Sequence, residues 1–423
     1  MKWDTTNNSE LMISFFLKNN CMRHVSSEDQ SPFLPILYSD IADAHAWVES
    51  EKKEKGGQFY NLTMASIKSE NDIPMPKHMP RGKYIGDDVF SHIKMASIFR
   101  SSYTIDVLGK SVIIHVVFEK KGLSKKWKEP DIQKINAQID NMIIWLHIAN
   151  KYASKTCAPA LEIFVYLTSL EKRIPDLDDI SAIHVNTGVT TSCPSSNGEI
   201  IVYRHEEWFK VFIHESFHTL GLDFSDMSVK ISETKLRDTF YIPTPILLFE
   251  AYTEFWARVL NVLIFSFRLT NDVDEFEKYA TVFLDYERVN GFFQMVKVLQ
   301  HMNIKYVDLH TDITLLGRYH ESTNVFVYYV ITAILFNNYP LFIKWCGDNN
   351  DKLLQFKQTE DNQLLFCEYI QGHYNVADME RCVNYANRLL TKTIMNSKKY
   401  PENKNIKIIL ETLRMSLCES CIK

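Results

Sequence analysis

The stretch 214–218 reads His214-Glu215-Ser216-Phe217-His218, with two imidazoles four residues apart and a carboxylate beside the first. Residues i and i+4 of a helix share one face, so both rings can reach one metal ion. A zinc ion held by two histidines needs a third protein ligand and keeps a position open for water, whose pKa it lowers towards neutrality. Glu215 is then placed to act as a general base on that water. The alternative is a pair of core histidines with ordinary hydrogen-bond partners.

The flanking sequence predicts a strand that runs into a helix. Residues 198–204 are β-branched and aromatic, and a turn that begins at Pro194 precedes them, which is typical of a strand. Further on, four apolar residues fall at helical spacing: Trp208, Phe209, Phe212 and Ile213. Gly221 then provides a stop signal. The two histidines are therefore expected in the last turns of a partly buried helix.

A second apolar segment offers the third ligand. Residues 246–269 carry only four charges, at Glu250, Glu254, Arg258 and Arg268, so this helix is expected to be buried on most faces. Carboxylates in such a helix need partners, because burying them unpaired is costly. A zinc ion would be the partner of Glu250, and the ring N–H of His214 would be the partner of Glu254. The remaining alternative is an ion pair between Glu254 and Arg258 at i+4.

Residues 214–218 resemble the zinc-binding helix of the zincin metallopeptidases. In the metzincin branch, a glycine follows the pattern and a ligand stands three residues after that glycine. Gly221 matches, but Phe224 occupies the ligand position and cannot bind zinc. Asp223 and Asp226 flank that position out of register. The metzincin arrangement is therefore not expected here.

The gluzincin branch of the zincins brings a glutamate from a second helix, with another acid four residues on. Glu250 and Glu254 are similar to that arrangement. The resemblance implies a zinc peptidase in which Zn²⁺ is bound by three residues, His214, His218 and Glu250. Peptidases of this type usually add a Tyr or His donor that stabilises the oxyanion. Tyr241, Tyr252 and the Tyr319-His320 pair are the candidates for this role, and His320 is taken as a catalytic residue beside Glu215.

The rest of the chain predicts an α+β fold. Strands are expected at 103–107 and 111–118, joined by a hairpin, and at 161–167, with an amphipathic helix over 131–152 between the second and third strands. Mostly helices follow Glu254, at 274–283, 289–302, 322–337, 351–357 and 379–395. The resemblance implies a zincin-like lobe, a mixed sheet plus the zinc helix, followed by a mostly helical C-terminal lobe. The expected domains are 1–80, of unclear fold and ending near a proline-rich boundary, then 81–230, and then 231–423, which carries the third ligand.

An edge strand beside the cleft binds extended peptide in that family by adding a strand. Either 183–189 or 200–203 could be this edge strand, and the sequence does not choose between them. The substrate implied is a protein or peptide.

Composition limits the partners and the compartment. The net charge is −5, so there is no global basic field to bind nucleic acid. The longest apolar run, 325–336, falls short of a membrane span. Eight cysteines are spread without a recognisable disulfide framework, which favours a reducing, cytoplasmic compartment.

A second resemblance concerns the run Tyr203-Arg204-His205-Glu206-Glu207-Trp208-Phe209-Lys210-Val211-Phe212-Ile213-His214-Glu215. It looks like zincin-like proteins of large eukaryotic DNA viruses. This resemblance implies a setting in the host cytoplasm or the virion, and a viral structural protein as partner. Two functions follow: a zinc-dependent peptidase, or a non-catalytic structural or virion-associated protein that retains a zincin fold. The intact Glu215 favours the peptidase, because a purely structural site needs no general base.

Overall fold

The computed structural model describes residues 5–19, 33–57, 59–78, 85–120, 131–176, 179–270 and 272–419. Within these ranges the protein is a mixture of α and β structure with one six-stranded sheet, which confirms the mixed α and β character expected from the sequence. The chain divides into two compact units. The sheet unit contains residues 35–171 and 187–222, and the helical unit contains residues 1–34, 172–186 and 223–419. These units interleave in sequence, unlike the contiguous ranges 1–80, 81–230 and 231–423.

The strands are β1 (Asn61–Ser66), β2 (Ser97–Val107), β3 (Lys110–Glu119), β4 (Ala160–Leu167), β5 (Gly188–Thr190) and β6 (Gly198–Val202). The helices are α1 (Asn7–Lys18), α2 (Leu34–Glu54), α3 (Asp87–Ala96), α4 (Ile132–Tyr152), α5 (Ala182–Val185), α6 (Trp208–Thr219), α7 (Lys230–Arg237), α8 (Leu248–Phe267), α9 (Val273–His301), α10 (Asp308–Thr311), α11 (Leu315–Arg318), α12 (Thr332–Asn337), α13 (Tyr339–Asn349), α14 (Glu360–His373), α15 (Ala377–Lys399) and α16 (Lys404–Glu411). A 3-10 turn spans Glu70–Asp72, and a π-helical segment spans Phe326–Ile331.

The sheet has the strand order β1-β2-β3-β4-β6-β5. β3, β4 and β6 are parallel, whereas β1, β2 and β5 join antiparallel to their neighbours. The predicted hairpin is confirmed: Leu108 and Gly109, both with positive φ, form the two-residue turn between β2 and β3. The parallel pair β3 and β4 is separated in sequence by α4, as the strand, helix and strand pattern predicts.

Two clusters pack against this sheet. Trp145 of α4 stacks on Phe217 of α6, with ring centroids 5.7 Å apart, and α6 contacts β5 and β6. The other cluster joins Ile93 of α3 to Phe164 of β4 and Ile201 of β6. Side chains alternate between the faces of a strand, so the sheet carries packed side chains on both faces. This packing fixes α6 beside β6 and the edge strand β5.

The helical unit is built around α8 and α9. Arg258 of α8 and Glu287 of α9 form a fully buried ion pair, in which Nε of Arg258 donates to Oε2 of Glu287 over 3.1 Å. The other carboxylate oxygen of Glu287 accepts from Ser416 Oγ and from the backbone N–H groups of residues 417 and 418. These bonds hold residues 416–418 in the core of this unit. Breaking the pair of Arg258 and Glu287 would be costly, because it would leave an uncompensated buried charge.

Four predicted elements are wrong in detail. Residues 274–283 and 289–302 belong to one continuous helix, α9, in which the charged residues between them are buried and paired, as Asp285 is with Arg288. Residues 351–357 form a turn closed by a bridge between Lys352 and Gln355 rather than a helix. The strand expected over 183–189 is instead a short helix, α5, followed by the three residues of β5.

Among the described residues, no single helix combines the length and apolar composition that a membrane span requires. The bent pair Phe326–Asn337 and Tyr339–Asn349, at 93° to each other, meets both criteria together by length and composition only.

Candidate metal centre

The strand β6 leads into α6 as the sequence predicts. The helix begins after Glu207, which adopts a left-handed conformation, and it ends at Thr219. Gly221 has a φ of 64°, and a Cβ at this position would lie 2.7 Å from Sγ of Cys157. Glycine is therefore required for both reasons, backbone conformation and close approach. His214 and His218 consequently occupy the last two turns of α6.

The two histidines face each other on α6. Both are buried, and their Nε2 atoms lie 3.2 Å apart, with the ring planes at 76°. Two nitrogen ligands at about 2.0–2.1 Å from one tetrahedral ion are separated by about 3.3 Å. The observed separation therefore suits two nitrogens that bind the same ion.

Glu215 lies against the edge strand β5 of the same unit. It is buried, and a Cβ built on Gly188 would come 2.9 Å from both Cγ and Oε1 of Glu215 and 2.7 Å from Cγ1 of Val211. The absence of a side chain at Gly188 thus makes room for the Glu215 carboxylate. Within the described residues β5 pairs with β6 alone, at the end of the strand order. Of the two expected edge strands, 200–203 falls largely in β6, inside the sheet, and only the last residues of 183–189, from Gly188, belong to the edge strand β5.

Glu250 is half-buried in the first turn of α8. The hydroxyl of Tyr328 donates to its Oε2 atom over 2.9 Å. His214, His218 and Glu250 each offer one ligand atom, and these three atoms lie within 4.8 Å of one another, so the cluster could hold a metal ion. Two imidazole nitrogens and a carboxylate oxygen form a donor set that divalent transition metals accept.

The alternative ligand positions are engaged elsewhere. Phe224 is buried in an aromatic cluster, with its ring 4.1 Å from that of Phe356. The Oδ1 atom of Asp223 accepts from the hydroxyl of Ser225 over 2.8 Å, and its Oδ2 atom accepts from Thr253 over 3.3 Å. Asp226 is exposed. Asp223 and Phe224 therefore contribute to the packing of the helical unit.

The remaining predicted residues are distributed as follows. Glu254 is buried in α8, one turn after Glu250, and its bond to His214 stays a prediction. His320 is exposed in the loop after α11, and its catalytic role also stays a prediction.

Tyr252 belongs to the core, because its hydroxyl donates to the carbonyl of Leu354 and accepts from Asn350. Burial raises the pKa of Tyr252 well above its ordinary value, and Tyr241 is half-buried.

Tyr328 was absent from the sequence candidates. It stands beside Tyr329 in the apolar run 325–336. The sequence did contain a sign that Tyr328 has a polar partner, because a tyrosine hydroxyl in an apolar run needs a hydrogen-bond partner when it is buried.

The cysteines correct one expectation. Cys157 and Cys193 form a disulfide in the sheet unit, although the sequence showed no disulfide framework. The backbone N–H of Cys193 donates to the carbonyl of His218 over 3.0 Å, so the bridge lies against the last turn of α6. The spread of the cysteines therefore no longer supports the expectation of a reducing compartment.

A second polar cluster lies on the sheet. Nδ1 of His115 lies 2.8 Å from Oγ of Ser102, and its Nε2 lies 3.1 Å from Oε1 of Glu162. This order of groups is that of a serine hydrolase triad. However, the backbone of Ser102 is paired on both sides, with Thr63 of β1 and His115 of β3, so its amide serves the ladder and not an oxyanion hole. We interpret the cluster as a polar ladder across three strands.

Comparisons with family models, curated proteins and solved structures found no match to this chain. The residues of the site therefore carry the functional proposal.

Proposed function

We propose that this chain is a zinc-dependent peptidase in which Zn²⁺ is bound by His214, His218 and Glu250. The observation that carries the proposal is the pair of Nε2 atoms, 3.2 Å apart on α6, with Glu215 between the two histidines in sequence. A structural site would need the histidines but would have no use for a buried carboxylate beside them. The donor set of two histidines and one glutamate is one that catalytic zinc sites use.

Each residue has a distinct role in this proposal. Bound zinc would lower the pKa of a water molecule and polarise the scissile carbonyl. Glu215 accepts the proton from the attacking water and returns it to the leaving amine, so that the C–N bond breaks without releasing an amide anion. Glu254 orients His214 by accepting its ring N–H, which fixes the tautomer.

The substrate would be an extended peptide that adds a strand to β5. This edge strand lies directly against Glu215, through Gly188, so a peptide paired with β5 would pass close to the general base. Backbone hydrogen bonds along a sheet edge provide affinity with little sequence specificity. The net charge of −5 gives no reason to expect nucleic acid as a partner.

A peptide library tests this function. Zinc-loaded wild-type protein should cleave members of a diverse library at neutral pH, lose cleavage on chelation and regain it with zinc. Glu215→Gln should retain zinc and lose about 10²–10⁴ in rate, as expected for removal of a general base. Ser216→Ala is the matched control on α6, since its hydroxyl donates only to the carbonyl of Phe212 among the bonds observed.

The alternative function is a non-catalytic structural or virion-associated protein. It predicts that wild-type protein cleaves nothing in a library on which a control zinc peptidase is active. Co-expression with viral structural proteins, the partners implied by the second resemblance, would then separate a narrow substrate range from a lack of activity.

A further inference from the structure

Tyr328 makes a hydrogen bond to Glu250 within the helical unit. Its hydroxyl donates to Oε2 of Glu250 over 2.9 Å. Tyr328 is half-buried, whereas Val327 and Tyr329 on either side are buried. The side chain of Tyr328 is therefore less buried than those of its two neighbours, and its hydroxyl reaches the carboxylate of Glu250 in the first turn of α8.

The backbone that carries Tyr328 has an uncommon geometry. Phe326–Ile331 is π-helical, and the N–H of Thr332 bonds to the carbonyl of Val327, five residues earlier. The hydroxyl of Thr332 donates to the same carbonyl over 3.1 Å. π-helical turns are rare in proteins, and those that occur are often found at functional sites. The wider turn changes the direction in which the side chain at 328 projects, compared with that in an α-helix.

This segment is anchored on both sides of Tyr328. Before it, Oε2 of Glu321 accepts the backbone N–H of Phe326 over 2.7 Å. After it, the hydroxyl of Tyr329 donates to the carbonyl of Leu413 over 2.7 Å. The backbone around Tyr328 is therefore held by bonds to two other parts of the unit, and its hydroxyl is a preorganised donor.

We propose that Tyr328 is a positioning residue that orients Glu250 for metal binding, an inference that rests on the proposed function. The bond at Oε2 fixes the carboxylate before the metal arrives, so less conformational freedom is lost when the metal binds. Hydrogen-bond partners of metal ligands typically contribute about 10–100-fold to metal affinity. The same contribution is expected from Tyr328, without contact between its hydroxyl and the substrate.

Zinc affinity of the full chain tests this inference. Tyr328→Phe should weaken zinc binding by about 10–100-fold in competition with a chromophoric chelator. Tyr329→Phe is the matched control, because it removes a hydroxyl from the same π-helical segment but one that is bonded to Leu413. It should leave zinc affinity unchanged. Equal effects of the two variants would overturn the inference in favour of a general loss of packing.

A double-variant cycle shows whether the effect passes through Glu250. Glu250→Ala keeps both histidines and should bind zinc only weakly, below what survives dialysis; adding Tyr328→Phe should change this residual affinity, measured by direct titration, by less than about twofold, because the group that it orients is gone. A full effect in that background would overturn the inference. If the wild type binds zinc and Tyr328→Phe binds it with the same affinity, the inference is overturned but the proposed function still stands. A wild-type protein that binds no zinc would overturn both.

Discussion

Gly188 of β5 and Glu215 of α6 approach each other so closely that a Cβ on Gly188 would lie 2.9 Å from Oε1 of Glu215. A Cβ this close would force a neighbouring atom to move, and the flexible carboxylate of Glu215 is the group that can move. The conformation of Glu215 is therefore set in part by the absence of a side chain on the neighbouring edge strand.

Gly188→Ala should displace Glu215 and lower kcat/KM by about 10–100-fold, because small misplacement of a catalytic group is costly. Zinc content should be unchanged, since the ligands are untouched. Gly317→Ala is the control, because nothing lies within 4 Å of a Cβ there. Peptide hydrolysis measured beside elemental analysis checks the prediction. Undiminished hydrolysis by Gly188→Ala would show that Glu215 is not held by this contact.

The double variant Cys157→Ser/Cys193→Ser should unfold more easily than the wild type. The disulfide joins residues 36 positions apart, and a loop of that length corresponds to roughly 3–4 kcal/mol in the chain-entropy description. Urea unfolding with and without reductant measures the effect. Reductant should destabilise the wild type and leave the double variant unchanged; a wild type that is insensitive to full reduction would contradict the prediction.

Lys297 should make stability depend on pH. Its ammonium group is buried in α9 and donates to the backbone carbonyls of Ile409 and Thr412, and burial lowers its pKa from 10.5 to about 7. Between these two values the unfolded chain binds one more proton than the folded chain, so this group makes stability rise with pH by at most about 1.4 kcal/mol per unit. Below pH 7 both states are protonated and the full cost of burial applies.

The unfolding free energy of the wild type minus that of Lys297→Met should therefore increase from pH 7 towards pH 10. Urea unfolding at several pH values measures this difference. Lys404→Met, at an exposed position in α16, is the control and should show little change. A constant difference between wild type and Lys297→Met would mean that Lys297 keeps an ordinary pKa in the folded protein.

Local patterns predicted much of the sheet unit. The apolar spacing of α4, the turn at Leu108 and Gly109, and the strand that leads into α6 depend on residues close in sequence, and the structure contains all three. The pairing of His214 with His218 followed from helix geometry alone.

Contacts between distant residues could not be predicted in this way. Residues 284–288 fell between two predicted helices, yet Glu287 in this stretch is buried and paired with Arg258 of α8, and α9 runs through it without a break. The disulfide joins cysteines whose spacing carries no motif. The bond from Tyr328 to Glu250 depends on a π-helical turn that the apolar run 325–336 does not reveal.

Zinc content is the most direct test of the central claim that His214, His218 and Glu250 form a zinc site. Protein expressed with ample zinc and dialysed should contain about one zinc per chain by elemental analysis, and His218→Ala should contain none, because losing one of three ligands removes both a bond and the geometry. Wild-type protein free of zinc after such preparation, or a His218→Ala variant that holds zinc as tightly as the wild type, would contradict it.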